Sequence, residues 1–374
     1  MRWCLAKPYF ILSCCLLEPL ASCGRLGAPN TSVTGDKGSQ SNAAYKAVVA
    51  RAAKSSDSDE ISKLVSDFHE VMLERSPIRS VGRVSFGSEA RVAVIDPQSR
   101  VACLFQLDGK YLGPLGENGR GPGKYLTPLS ITFTGREYGI ADFTDHRVNL
   151  FADTNKLDRS FIYTAQNFSS TSILYDGKAR AFYLFGNRRS DGATSAQPNL
   201  LNVYDEDGNF LRSGFSFPSK WVAYGLQDYD YALVASDEEG RGYFMLPFDS
   251  VLYFIRPDDS TVAATALDLP SFKTPKSALP DLTQANIFRS WELDFTPVRA
   301  VAVHGGSAFV EYETNDDLRY TIAVINLGKR KPRQLVKTNY LIVGSSSDGT
   351  VALVKKAGES EGRTDGLAYA KLSK

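Results

Sequence analysis

The sequence predicts an all-β protein: a six-bladed β-propeller of four-stranded antiparallel blades, preceded by an export signal, a flexible tether and a short helix. Three observations predict it. The 374 residues include 18 Tyr and 21 Phe, set among many short β-branched runs, the composition of strands rather than helices. Those runs alternate or are wholly apolar over about four to six residues, and they break at Asp-Gly turns such as Asp108-Gly109 and Asp207-Gly208. From about residue 80 the chain also repeats itself loosely, with a period of roughly 50 residues, the length that a four-stranded blade requires.

The start of the chain reads as an address. Arg2 and Lys7 form a basic region, and "YFILSCCLL" forms an apolar stretch too short to span a bilayer. The "LASCG" that follows resembles the bacterial lipobox, which implies cleavage after residue 22 and a lipid on Cys23. Residues 1–22 are thus the signal peptide. Residues 23–58, rich in Gly, Ser, Asn and Ala, are a lipid-anchored tether with little to bury. Residues 59–374 form the folded part. Gly24, rather than Asp, after Cys23 resembles the sorting signal for the outer membrane, facing the periplasm. The expected membrane contact is through that lipid alone.

A capping box of Asp57 and Glu60, then Ile61, Leu64, Val65 and Phe68 at helical spacing, predicts a short helix. The blades follow. "RVAVIDPQSRVACLFQLDGKYL" (91–112) and "EYGIADFTDHRVNLFADTNKLDRSF" (137–161) are the plainest copies. Each is a strand ending in Asp, a polar turn, Arg-Val, a second strand and another turn. The third strands of successive units begin near Val101, Val148, Leu201, Leu252, Ile322 and Ala368, which counts six units. The last unit ends after its third strand. A propeller avoids an open edge by completing that blade with its other terminus, and "EVMLE" near residue 72 is the candidate.

"GPLGENGRGPGKYLTPLSITFTGREYGIADFTDHRVNLF" (113–151) resembles one NHL-type repeat of a six-bladed propeller, in its G-x-G-P-G stretch, its Pro before the inner strand and its "IADxxxHRVxLF" ending. With the lipobox, the whole chain is similar to the NHL/TolB-like propeller lipoproteins of Gram-negative bacteria. The resemblance implies structural turn roles for Asp142 and Arg147, the carboxylate accepting from turn N–H groups and the guanidinium packing on the neighbouring blade. It also implies one loop-rich ligand face. That face collects Arg120, Lys124, Asp145, His146, Asp249, the loop 186–199 with Arg188 and Arg189, the turn 315–317, and the insertion 269–295 with Trp291, placed to lie across the channel mouth.

"GENGRGPGKYLTP" (116–128) has the glycines of a phosphate loop but not its pattern. Gly119, Gly121 and Gly123 fall at alternate positions, Pro122 removes an N–H, and Lys124 is followed by Tyr125 rather than a hydroxyl residue. It is expected to connect two blades, with Gly121 and Gly123 supplying positive φ. Arg120 and Lys124 remain candidates for an anionic partner.

Composition narrows the chemistry. With 43 basic and 42 acidic residues mixed along the chain there is no electrostatic footprint for nucleic acid. Only His69, His146 and His304 are present, none at ligand spacing with another, so no metal site and no cofactor are expected. No G-x-S-x-G elbow occurs, and Cys103, the one thiol after Cys23, sits in an apolar run as a small buried hydrophobe. The expectation is a monomeric binding or scaffolding module for a protein, peptide or glycan, without covalent chemistry. The alternative is a propeller hydrolase or lyase of the NHL/lactonase type with a divalent metal in the central channel. Three or more inward carboxylate, Asn or His side chains converging on the channel would favour the alternative.

Overall fold

The computed structural model describes residues 60–73, 76–163, 168–188, 199–226, 232–256, 262–280, 285–314, 320–355 and 367–373. The signal peptide, Cys23, the tether and Asp57 lie outside them, as do Arg189, most of the loop 186–199 and the turn 315–317.

The chain enters through one 3-10 turn, Ile61–Lys63, and strand β1 (Val65–Val71). Blade 1 is β2 (Arg83–Phe86), β3 (Arg91–Asp96), β4 (Val101–Gln106) and β5 (Tyr111–Pro114). A two-stranded parallel clip, β6 (Glu117–Asn118) with β7 (Lys124–Tyr125), precedes blade 2: β8 (Pro128–Phe133), β9 (Glu137–Asp142), β10 (Arg147–Ala152) and β11 (Leu157–Ile162). Blade 3 is β12 (Phe168–Asp176), β13 (Ala181–Arg188), β14 (Asn199–Asp205) and β15 (Phe210–Ser216). Helix α1 (Ser219–Ala223) leads into blade 4: β16 (Leu233–Ser236), β17 (Gly242–Met245), β18 (Val251–Ile255) and β19 (Val262–Ala266). Helix α2 (Ala285–Glu292) leads into blade 5: β20 (Val298–His304), β21 (Ser307–Glu313), β22 (Tyr320–Asn326) and β23 (Lys331–Thr338). Blade 6 is β24 (Tyr340–Ser345), β25 (Thr350–Lys355) and β26 (Leu367–Leu372), with β1 as its fourth strand.

All six blades are antiparallel, and the six third strands fall at the repeat markers. The inner strands β2, β8, β12, β16, β20 and β24 each touch the next, and β24 returns to β2, closing the ring. The core lies between blades rather than within one sheet. Ala93, Ile95 and Leu104 of blade 1 pack on Tyr138, Ile140 and Phe151 of blade 2. A strand covered on both faces has no solvent side, so β9 is buried at every position, whereas outer β11 is buried only at Phe161.

The entry segment differs from its predicted helix. Only one turn forms, Glu60 makes no side-chain cap, and Val65 and Phe68 belong to β1. The closing strand is therefore Val65–Val71, so "EVMLE" supplies only its last two residues. The reason is tertiary: the free edge of β26 offers a hydrogen-bond ladder, from Val65↔Leu372 to Val71↔Leu367 with one shift of register between Ser66 and His69, which outweighs a weak local helical pattern. Ser373 N–H to Leu64 O at 2.8 Å and Glu60 N–H to Lys337 O at 3.1 Å tie the entry to blades 6 and 5.

Candidate functional site

In blades 1 to 5 the strands run outward in chain order, and in blade 6 β24 to β26 do so with β1 added outside, so the outer-to-inner connections and the second-to-third turns share one face. The inner strands enter the channel from this face. Residues 116–127 do connect blade 1 to blade 2, and φ is +101° at Gly121 and +75° at Gly123. The loop is held from below: Gly121 N–H donates to Asp145 Oδ2 (3.2 Å), Gly123 N–H to Asn149 Oδ1 (3.0 Å), and Asn149 Nδ2 to Lys124 O (2.8 Å). The amides of Gly121 and Gly123 are therefore committed to side chains of blade 2, and those of Glu117, Gly119 and Lys124 to carbonyls within the loop. Lys124 Nζ lies 3.6 Å from Glu117 Oε2, and Arg120 is exposed.

Asp142, fully buried, accepts four backbone N–H groups. Oδ2 takes those of Leu126 and Thr127, and Oδ1 takes those of Thr144 (2.8 Å) and Asp145 (2.7 Å). Asp96 does the same in blade 1, for Arg79 (2.7 Å), Ser80 (3.1 Å), Gln98 (2.8 Å) and Ser99 (3.0 Å). One carboxylate thus clamps both its own turn and the incoming connection. Asp142→Ala would leave these donors without their acceptor, and a loss of about 3 kcal/mol in denaturant unfolding is expected. An unchanged midpoint would remove the clamp from the account of blade 2.

Arg147 turns back onto its own blade instead of reaching the next one. Its Nε donates to Asp145 Oδ2 (3.3 Å) and its Nη1 to Ser160 Oγ (3.1 Å), because Asp145 is the nearest available anion. His146 has φ +50° and ends the turn, as Arg100 does in blade 1 at φ +55°. Its Nδ1 lies 3.0 Å from Phe168 O, an acceptor only, so that nitrogen carries the proton and binds blade 3. Asp249 Oδ2 accepts the indole N–H of Trp221 (3.0 Å), and Arg188 ends β13.

The insertion packs on itself and on blade 5. Trp291 is buried, stacks on Phe288 and donates to Ser277 O at 3.2 Å. Phe272 packs edge-on against Tyr312, whose hydroxyl donates to Pro270 O (2.9 Å). The insertion's aromatic side chains are thus committed to its own packing and to blade 5. Leu279 N–H donates to Tyr224 O (2.8 Å), so the connections bearing α1 and α2 form one raised rim with Ile287 exposed on it.

The six inner strands enclose a cavity of about 190 Å³. Its wall includes Arg83, Arg299 and several hydroxyl residues, but no Asp or Glu among the described residues. Some hydroxyls are used between strands: Ser130 Oγ accepts from Ile173 N–H (3.0 Å), and Ser172 Oγ donates to Ala232 O (2.6 Å). Arg299 occupies a bulge in β20, where pairing skips from Val298 to Ala300, and its Nε and Nη2 reach Glu313 Oε2 at 3.1 and 2.9 Å. Behind this wall Glu311 is wholly buried. Its Oε2 accepts Ile342 N–H of the next blade (2.8 Å), and its Oε1 has no partner. Burial foremost, with Glu313 nearby, pushes its carboxyl up to about 8, against the Ile342 bond and Arg299. Cys103 is buried, and burial raises its thiol to about 11.

Arg83, Arg299, Glu311 and Glu313 escaped the sequence reading, although Arg299 and Glu311 interrupt largely apolar strand runs. "SAFVEYE" places two carboxylates in a strand with little access to water, and that was the available signal. Among the described residues no group of three or more His, Cys, Asp or Glu is placed to hold a metal ion.

No protein-family model matches this chain, and no curated protein does. Solved structures do. A Bacteroides fragilis protein described as exported is 13% identical over 85% of this chain and 98% of its own, with a TM-score of 0.58. A member of the DUF4221 family from Bacteroides vulgatus is 8% identical over 83% and 97%, with a TM-score of 0.55. U3-55K is 10% identical over 84% and 100%, with a TM-score of 0.52. At these identities the likeness is one of fold alone, and what this chain shares with them is the propeller.

Proposed function

We propose that this chain is a binding or scaffolding module without covalent chemistry, held at the outer membrane by lipid on Cys23 and presenting its connection face to a periplasmic protein, peptide or glycan. The observation that carries this reading is the rim. Two long connections, bearing α1 and α2, are hydrogen-bonded to each other on a rigid ring; Ile287 is exposed on one of them, and on the other Lys220 lies 4.0 Å over the Trp221 ring. The signal pattern at residues 1–23, and a fold neighbour described as exported, support the address. Arg120 and Lys124 border the same face from blades 1 and 2.

Two measurements test the reading. Mass spectrometry of the mature N-terminus should find a lipidated Cys23, and an unlipidated chain starting elsewhere removes the anchor. Peptide and glycan arrays should yield a ligand whose binding falls at least tenfold in Ile287→Asp. Turnover of a lactone or uronide by the protein on addition of a divalent metal would replace the module with an enzyme.

A further inference from the structure

We propose that the central channel is itself a binding site, for a small oxyanion held between Arg83 and Arg299. This site is separate from the rim and goes beyond the function proposed above. Its chemistry is that of a phosphate or carboxylate group, carried on a molecule small enough for a cavity of about 190 Å³.

The placement of the cations carries the argument. Arg83 opens β2 and Arg299 is the second residue of β20, the inner strands on either side of β24. Inner strands all enter the channel from the connection face, so both residues stand near that end of the cavity wall. Each is built in. Gly82, just before Arg83, bonds Ile95 O through its N–H (2.9 Å), and a Cβ there would meet the Pro97 ring at 2.5 Å, so the chain is pressed against the turn of its own blade. Arg299 is placed by the β20 bulge and gripped by Glu313, with its side chain 12% exposed.

The charge balance favours an anion. Glu313 offsets Arg299, whereas among the described residues no carboxylate pairs with Arg83, whose one bond is to the neighbouring Gly82 carbonyl at 3.4 Å. Among the described residues no Asp or Glu lines the cavity. Glu311, the carboxyl behind the wall, is held largely neutral at pH 7 by burial and so does not cancel the field. A chain with a net charge of +1 overall therefore places, in the wall of this cavity, a positive charge at Arg83 that no carboxylate among the described residues offsets, and low dielectric strengthens it. Hydroxyls at Ser85, Ser236 and Ser345 and the channel-side amides of edge strands supply neutral donors for the remaining oxygens.

The test is calorimetric titration of the full chain with sodium phosphate and, separately, sodium galacturonate, each against sodium chloride of equal ionic strength. Saturable binding of at least one probe is expected. Arg83→Gln should weaken it tenfold or more without moving the unfolding midpoint, and the double variant Arg299→Gln/Glu313→Gln should do the same. Phosphate alone binding assigns a phosphate site, and galacturonate alone assigns an acidic-sugar site. Saturable binding of neither probe, or equal affinity in Arg83→Gln, overturns the proposal. Arg83→Gln decides the matter even where the double variant fails to fold, and the array result for the rim is unaffected by either outcome.

Discussion

Replacing Glu311 with Gln is expected to make the protein more stable at pH 9 than the native chain, while leaving it about equally stable at pH 5. The native carboxyl has no water and an orphan Oε1, and its proton is lost only near pH 8 instead of near the ordinary 4.5. Unfolding lets it ionise freely. A folded-state value above the unfolded one means that its contribution is complete below about pH 4.5 and disappears as pH rises through about 8. The full difference is on the order of 4 kcal/mol. Gln keeps the oxygen that accepts Ile342 N–H and removes the titration, so the variant lacks this slope. Other groups titrate too, including Asp348, held low by Lys371, Ser346 and Thr350 against its own burial, but they are common to both chains and cancel in the difference. Urea midpoints at pH 5, 7 and 9 give the comparison. Parallel pH profiles for the two proteins would show that Glu311 is solvated or already charged.

Gly344→Ala is expected to loosen the ring where blade 6 meets blade 1. A Cβ at 344 would stand 2.2 Å from Val84 O and 2.9 Å from its carbonyl carbon. Both atoms are backbone of β2 and cannot swing aside, so β24 must withdraw from β2. The cost is about 3 kcal/mol. Blade 6 carries this strain at its weakest point, since its outer strand β1 comes from the other end of the folded part and is held by the β26 ladder. Earlier proteolysis around residues 72–82 should accompany the lower midpoint. Gly139→Ala is the internal control: its nearest neighbours would lie at 3.4 to 3.6 Å, all side-chain carbons, and no loss is expected. If both variants unfold alike, the close approach of β24 to β2 is not what limits the site.

The repeat was legible because its signals are local. Asp-Gly turns, Asp at the end of a second strand and Arg-Val at the start of a third are read within one blade, and the six third strands stand where those signals put them. The entry segment was misread for the converse reason. Ile61, Leu64, Val65 and Phe68 satisfy a helical period locally, but the partner that makes Val65–Val71 a strand lies some 300 residues away, at Leu367–Leu372. Arg147 was expected on the next blade and lies on its own, because sequence distance does not show that Asp145 and Ser160 come within reach first.

The channel was the least legible part. Its charged residues come singly from β2 and β20, and Glu311 and Glu313 from β21, so no motif or spacing links them. By itself the sequence determined the blade number, the strand polarity and the turn chemistry, since these follow from period and from backbone preferences of short segments. Tertiary structure alone decided which strand closes the ring, which residues face the channel and which carboxyl loses its water. Each of those depends on what a distant blade brings alongside, and burial and field are properties of that neighbourhood rather than of the residue.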